Sequence, residues 1–258
     1  MILKLIFIYI FFSNYSSPNQ FVWGKTGHRV VGEVASKYIS ENTRILIDEI
    51  LEGESLAYVS NYADDIKSDK KYSKYSVWHY ANLNLDDSYE SSDKNPKGDV
   101  IMAIKSSIKI LKSRSSTKKE KKFFLKLLVH FIGDLHQPLH LGRKEDKGGN
   151  NIEIFWFGKR SNLHRLWDSD MIDSSKFSFT ELSQNLPMIS CEKKNEIVST
   201  PIEFWIEETH DVTREIYENL PENKNLGYKY SYDYFDVLRY QLLKAGLRLA
   251  FILDEIFK

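Results

Sequence analysis

Residues 123–140 read FFLKLLVHFIGDLHQPLH, and this stretch decides the fold. From Phe123 through Leu125, Leu127, Leu128, Val129, Phe131 and Ile132 it is apolar nearly all round, the pattern of a helix buried at the centre of a helical protein. Its later part adds chemistry to that helix. His130 and Asp134 are four apart, so they project from one face and can grip one ion. Pro138 cannot donate to the carbonyl of Asp134 and should bend or end the helix there. That bend would let His140 aim at a different ion from the one His130 holds.

Outward from this core the chain continues to read as helix. Val30, Val31, Val34, Ala35 and Tyr38 recur at helical spacing, as do Ile101, Ile104, Ile108 and Leu111. The segment Tyr234 to Phe257 places Leu238, Leu242, Ala245, Leu249, Ile252 and Ile256 on one face of a long last helix, with Gly246 a weak point inside it. One region breaks the pattern. The turn signal Gly148-Gly149-Asn150-Asn151 precedes an alternation of Ile152, Ile154 and Trp156, which predicts a short hairpin. The charge-rich run Lys112–Lys122 reads as a solvated connector. At 258 residues the chain suits one core. The expected fold is all-α, a single-domain multi-helix bundle with a small β-hairpin insert.

Composition narrows the chemistry. Lys and Arg number 36 and Asp and Glu 36, so the formal net charge is zero. A nucleic-acid binder that relies on bulk phosphate neutralisation is usually basic; if this protein handles nucleic acid, local metal charge must stand in for the missing lysines. Cys191 is the one cysteine, which excludes an intrachain disulfide and a multi-thiolate metal site. Lys4 and the apolar run Leu5 to Phe12 read as a signal peptide over 1–22, so a secreted or periplasmic protein is expected, with no stable membrane span once the leader is removed. No A-x-A pattern marks the cut.

The seven histidines are His28, His79, His130, His136, His140, His164 and His210. His164 and Asp168 repeat the four-residue spacing of His130 and Asp134. Imidazole and carboxylate without thiolate suit zinc better than manganese or iron.

With these residues in view, the chain resembles the S1/P1 nucleases. The string His130 to His140 is similar to their central motif, and the other motifs follow in order. Trp23-Gly24-x-x-Gly27-His28 resembles the mature start of those enzymes. Tyr62-Ala63-Asp64-Asp65-Ile66-Lys67 resembles their W-A-D segment, with tyrosine for tryptophan. Trp78-His79-Tyr80-Ala81-Asn82 resembles their Y-H-F-I-D segment. Gly148-Gly149-Asn150 and Asn162-Leu163-His164-x-x-Trp167-Asp168 complete the set.

The resemblance implies three zinc ions. The first would be held by Asp64, His79, His130 and Asp134, and the second by His140, His164 and Asp168. The third would use the amino group and carbonyl of Trp23, His28 and a bridging Asp134. Asp64 would orient the nucleophile, and Lys67, three residues on, would reach a phosphoryl oxygen. Tyr80 would stack on a base, Asn82 would meet its edge in place of an acid, and Asn150 falls on the substrate side. The implied substrates are single-stranded DNA and RNA, cut to 5′-phosphate products, and 3′-nucleotides, with no protein partner. His136 and His210 fall outside the mapping; His136 reads either as a donor orienting a carboxylate or as a plain core residue. Two other functions compete: a zinc phospholipase C, similar in fold and ligands, and a non-catalytic, metal-stabilised helical binding protein.

Overall fold

The computed structural model describes residues 24–258, so Trp23 and the segment 1–22 read as a leader lie outside the described residues. The central helix runs from Lys118 to Leu135, and every residue from Leu125 onward is buried. It begins at a reciprocal cap. The Thr117 hydroxyl accepts from the Glu120 backbone N–H at 3.2 Å, and the Glu120 carboxylate accepts from that of Thr117 at 2.8 Å. It ends before Pro138, as expected. Gln137 is extended, the conformation a following proline demands, and Pro138–Leu141 forms a tight 3-10 turn.

Three long helices enclose this one: the first (Lys25–Tyr38), Val100–Lys112 and the last (Tyr228–Phe257). Burying each large apolar side chain contributes about 1.5–3 kcal/mol, and Leu125, Leu127, Leu128, Phe131 and Leu135 are all fully buried. Gly246 proves to be a close-approach site rather than a weak point. A Cβ there would lie 2.4 Å from Val34 Cγ1, so glycine lets the last helix settle on the first.

The hairpin forms, with β1 (Glu153–Trp156) antiparallel to β2 (Lys159–Asn162). Its turn lies at Phe157 and Gly158, both at positive φ, as a two-residue hairpin turn requires. The Gly148-Gly149 signal belongs to a separate turn beside His164. A third strand, β3 (Asn225–Leu226), pairs parallel with β1 and was not anticipated; two residues carry no periodicity to read. Lys112–Lys122 is also not one connector. Lys112 ends a helix and Lys118–Lys122 opens the central one, where Lys122 and Lys126 pair with Glu52 and Glu54 at 2.7 and 2.6 Å.

Candidate metal centre

Six short or long elements deliver side chains to one buried cluster. The first helix supplies His28. The short helix Tyr62–Asp65 carries Asp64, with Lys67 in the 3-10 turn that follows. A long 3-10 segment, Lys70–His79, ends on His79. The central helix gives His130 and Asp134, and the turn after Pro138 gives His140. His164 and Asp168 come from a helix that widens into a π-turn over Leu166–Asp170. Such widened turns recur at functional sites because they re-aim a side chain; here His164 Nε2 and Asp168 Oδ2 lie 3.2 Å apart.

Asp134 is the hub. Its Oδ2 lies 2.8 Å from His79 Nδ1 and 3.1 Å from His130 Nε2, while Oδ1 lies 3.4 Å from His28 Nε2 and 3.2 Å from His140 Nδ1. His140 also faces the other way, with Nε2 3.6 Å from Asp168. Among the described residues, three groups place their ligand atoms close enough to share an ion: His28, His130 and Asp134; Asp64, His79 and His130; His140, His164 and Asp168. Eight of the nine residues expected to bind metal are therefore brought together, and the ninth, Trp23, is outside the described residues. Gly24 donates its N–H to the Asp168 carbonyl at 2.6 Å, which holds the first described residue at this cluster.

The donors fit a cation better than they fit each other. Asp134 Oδ1, His140 Nδ1 and Asp168 Oδ2 are buried without a partner at hydrogen-bond geometry, an arrangement that is costly unless an ion completes it. Backbone carbonyls fix two rings from behind. His130 donates from Nδ1 to Ser60 O at 2.7 Å, and His164 does so to Gly148 O at 2.6 Å, leaving each Nε2 toward the carboxylates.

The electrostatics follow from crowding. Burial pushes His79 down to about 4, against the pull of Asp134. Burial also acts against charge on His140, yet Asp134 and Asp168 overcome it and lift the ring to about 10. Burial opposes ionisation of Asp134, but His130, His140 and His79 hold it well below the usual carboxylate range. These residues would give up protons on binding a cation, whose charge would then offset that of the carboxylates.

Around the cluster, Lys67 Nζ sits 2.9 Å from Asp64. Tyr80 is exposed and, with Asn82, lines a cavity of about 290 Å³. The Asn150 amide donates to Lys147 O at 2.8 Å, which ties it into the glycine turn. His136 does not orient a carboxylate: it donates from Nδ1 to Ile132 O and accepts from Arg248. The carboxylate partner is Gln137, whose amide donates to Asp168. Sequence reasoning missed it, since a glutamine beside a proline carries no signal of its own. His210 is buried and belongs to none of the three groups.

Comparison with known proteins matches residues 23–258 to the S1/P1 Nuclease family. The chain belongs to the S1/P1 nuclease family. Like the family, it is an enzyme, a nuclease that hydrolyses phosphodiester bonds. It is 26% identical to Endonuclease 2 of Arabidopsis thaliana over 94% of this chain and 93% of that protein. Endonuclease 3 of the same plant is 29% identical over 91% and 89%. Nuclease S1 of Aspergillus oryzae is 32% identical over a shorter span, 58% of this chain and 54% of its own. An S1/P1 nuclease with this cluster has no need of a basic surface, because its positive charge would arrive with the ions.

Proposed function

We propose that this chain cuts single-stranded DNA and RNA at a cluster of three zinc ions, leaving 5′-phosphates, and that it also removes the phosphate of 3′-nucleotides. The observation that carries this is Asp134, a fully buried carboxylate with two imidazoles facing each oxygen. Zinc bound there would lower the pKa of an attacking water and offset the charge that develops on phosphate and leaving oxygen.

The protein's own residues do the rest. Asp134 would be shared between the ions of His28, His79 and His130, with Asp64 beside them. His140, His164 and Asp168 would hold the third. Asp64 orients the water and accepts its hydrogen bond. Lys67, paired with Asp64 at 2.9 Å, can turn its ammonium toward a phosphoryl oxygen. Tyr80 offers a face to any unpaired base, and a stacked base must leave its duplex, which gives single-strand preference. Asn82 meets the base edge with a donor and an acceptor, and Asn150 borders the substrate from the glycine turn.

The remaining ligand would be the free amine of Trp23, released when the leader 1–22 is removed during export from the cell. An internal peptide nitrogen cannot replace it, because its lone pair is delocalised into the amide. The position of Gly24 at Asp168 supports this role.

Among the described residues no helix is long and apolar enough to cross a membrane. Membership of the nuclease family and the exposed Tyr80 favour this reading over a phospholipase or a binding protein. The test is to offer denatured DNA, RNA, a 3′-nucleotide and phosphatidylcholine to one metal-replete preparation. Cleavage of both nucleic acids to 5′-phosphate ends is expected. Hydrolysis of phosphatidylcholine with nucleic acid left intact would overturn the assignment.

A further inference from the structure

The turn behind His164 is built from backbone that does not hold its own shape. Lys147, Gly148 and Gly149 all take left-handed conformation, with φ of 56°, 62° and 80°, a region a lysine enters only when its surroundings compel it. A Cβ on Gly148 would meet the Leu139 carbonyl oxygen at 2.3 Å, so this turn lies hard against the segment that carries His140.

One carboxylate sits at its centre. Asp146 is buried and accepts from the Gly149 backbone N–H at 2.7 Å and from the Tyr217 hydroxyl at 2.9 Å. The Arg143 guanidinium reaches its other oxygen at 2.9 and 2.6 Å. Asp146 belongs to none of the three metal-capable groups. What the clamped turn presents to them is a carbonyl: Gly148 O accepts from His164 Nδ1 at 2.6 Å, and the opposite ring nitrogen, Nε2, lies 3.2 Å from Asp168.

We propose that Asp146 is the positioning residue of the His140, His164 and Asp168 group. By clamping the left-handed turn it aims the Gly148 carbonyl, and that carbonyl selects the His164 tautomer whose Nε2 lone pair faces the ion. The inference rests on His164 being a metal ligand. Neutral imidazole carries one proton on two nitrogens, and the hydrogen bond made by one nitrogen decides which the metal meets. Without the clamp, the ring would present its lone pair at Nε2 for only part of the time.

The experiment reads metal and ring directly, without substrate. Wild type, Asp146→Ala and Asp146→Asn are loaded with zinc and challenged with graded chelator. Long-range proton–nitrogen spectra of the metal-free proteins then report the His164 tautomer. The alanine variant should release one zinc at chelator strengths on the order of ten- to a hundredfold lower than wild type, keep the others, and show His164 as a mixture of tautomers. The asparagine variant, whose side-chain oxygen can still accept from Gly149, should lie between the two. A folded alanine variant with wild-type zinc retention and a single His164 tautomer would overturn the proposal. Should that variant fail to fold, Tyr217→Phe removes one hydrogen bond to the same carboxylate. A partial tautomer shift there supports the proposal, and an unchanged ring and unchanged zinc retention refute it. A wild-type protein that binds zinc but cleaves no nucleic acid would refute the proposed function and leave this inference standing.

Discussion

His130 and His136 flank the end of one helix, both wholly buried, and their surroundings make opposite use of the same ring. His130 turns Nε2 toward Asp134 and Asp64, at 3.1 and 3.5 Å. Burial acts against charge on it, but the two carboxylates prevail and its pKa is raised. His136 donates from Nδ1 to Ile132 O at 2.8 Å and accepts at Nε2 from Arg248 at 3.0 Å. Burial first, and then the Arg248 charge, drive its pKa well below the usual value. One ring faces two carboxylates. The other has both nitrogens satisfied and a cation already against it. Burial alone does not set a histidine's pKa; the sign of the charge it faces decides the direction.

The comparison breaks most visibly on the acceptor side. Asp134→Asn removes the charge that His28, His79, His130 and His140 share. Hydrolysis should fall by more than the roughly hundredfold that loss of a ligand's outer partner costs, and zinc content should drop with it. Wild-type zinc and turnover in this variant would remove Asp134 from the centre.

On the other side, Arg248→Leu strips His136 of its partner and leaves Glu208, bonded to Arg248 at 2.6 Å, with Lys244 alone at 3.2 Å. Breaking a buried ion pair costs about 3–5 kcal/mol. Glu208 is partly exposed and keeps Lys244, so water and that second cation soften the loss to about 3 kcal/mol in urea unfolding. Zinc content should stay at the wild-type level. Loss of zinc from a still-folded variant would show that the two faces are coupled.

Tyr80→Ala spares both histidine environments and tests the cleft beyond them. Losing one stacked base should weaken oligonucleotide binding by about 1–3 kcal/mol, read as a raised KM with zinc unchanged. Unaltered kinetics on single-stranded DNA would take Tyr80 out of the site.

The smallest effect is a slope. His136 stays neutral in the folded protein below its ordinary value of 6.5, whereas the unfolded chain takes up a proton there. Stability contributed by the neutral ring is therefore lost as pH falls below about 6.5, at about 1.4 kcal/mol per pH unit. In metal-free protein, His136→Gln should flatten the acid limb by that amount. Parallel limbs in the two proteins would mean that His136 is protonated when folded.

Much of this was readable from residue order because it depends on local spacing. Apolar residues all round Phe123–Ile132 announced a buried helix, and His130 and Asp134 had to share a face. Pro138 had to end the helix before His140. Other features depend on partners distant in the chain and leave no local mark. Nothing near His136 announces Arg248, and nothing near Gln137 announces Asp168. Gly246 reads as a weak point until Val34 is set against it. The Gly148-Gly149 signal was legible as a turn but not as the support of His164, because the carbonyl that matters belongs to every residue alike. Trp23 is read as a ligand by resemblance only and lies outside the described residues.

Val34 against Gly246 joins two helices that lie almost a full chain apart. A ribosome makes His28 early, yet the helix that carries it lacks its largest packing partner until the last helix is complete. Contacts so remote in sequence close late and slowly. The nascent protein therefore carries the His28 side of the cluster unfinished until Tyr228–Phe257 has been made.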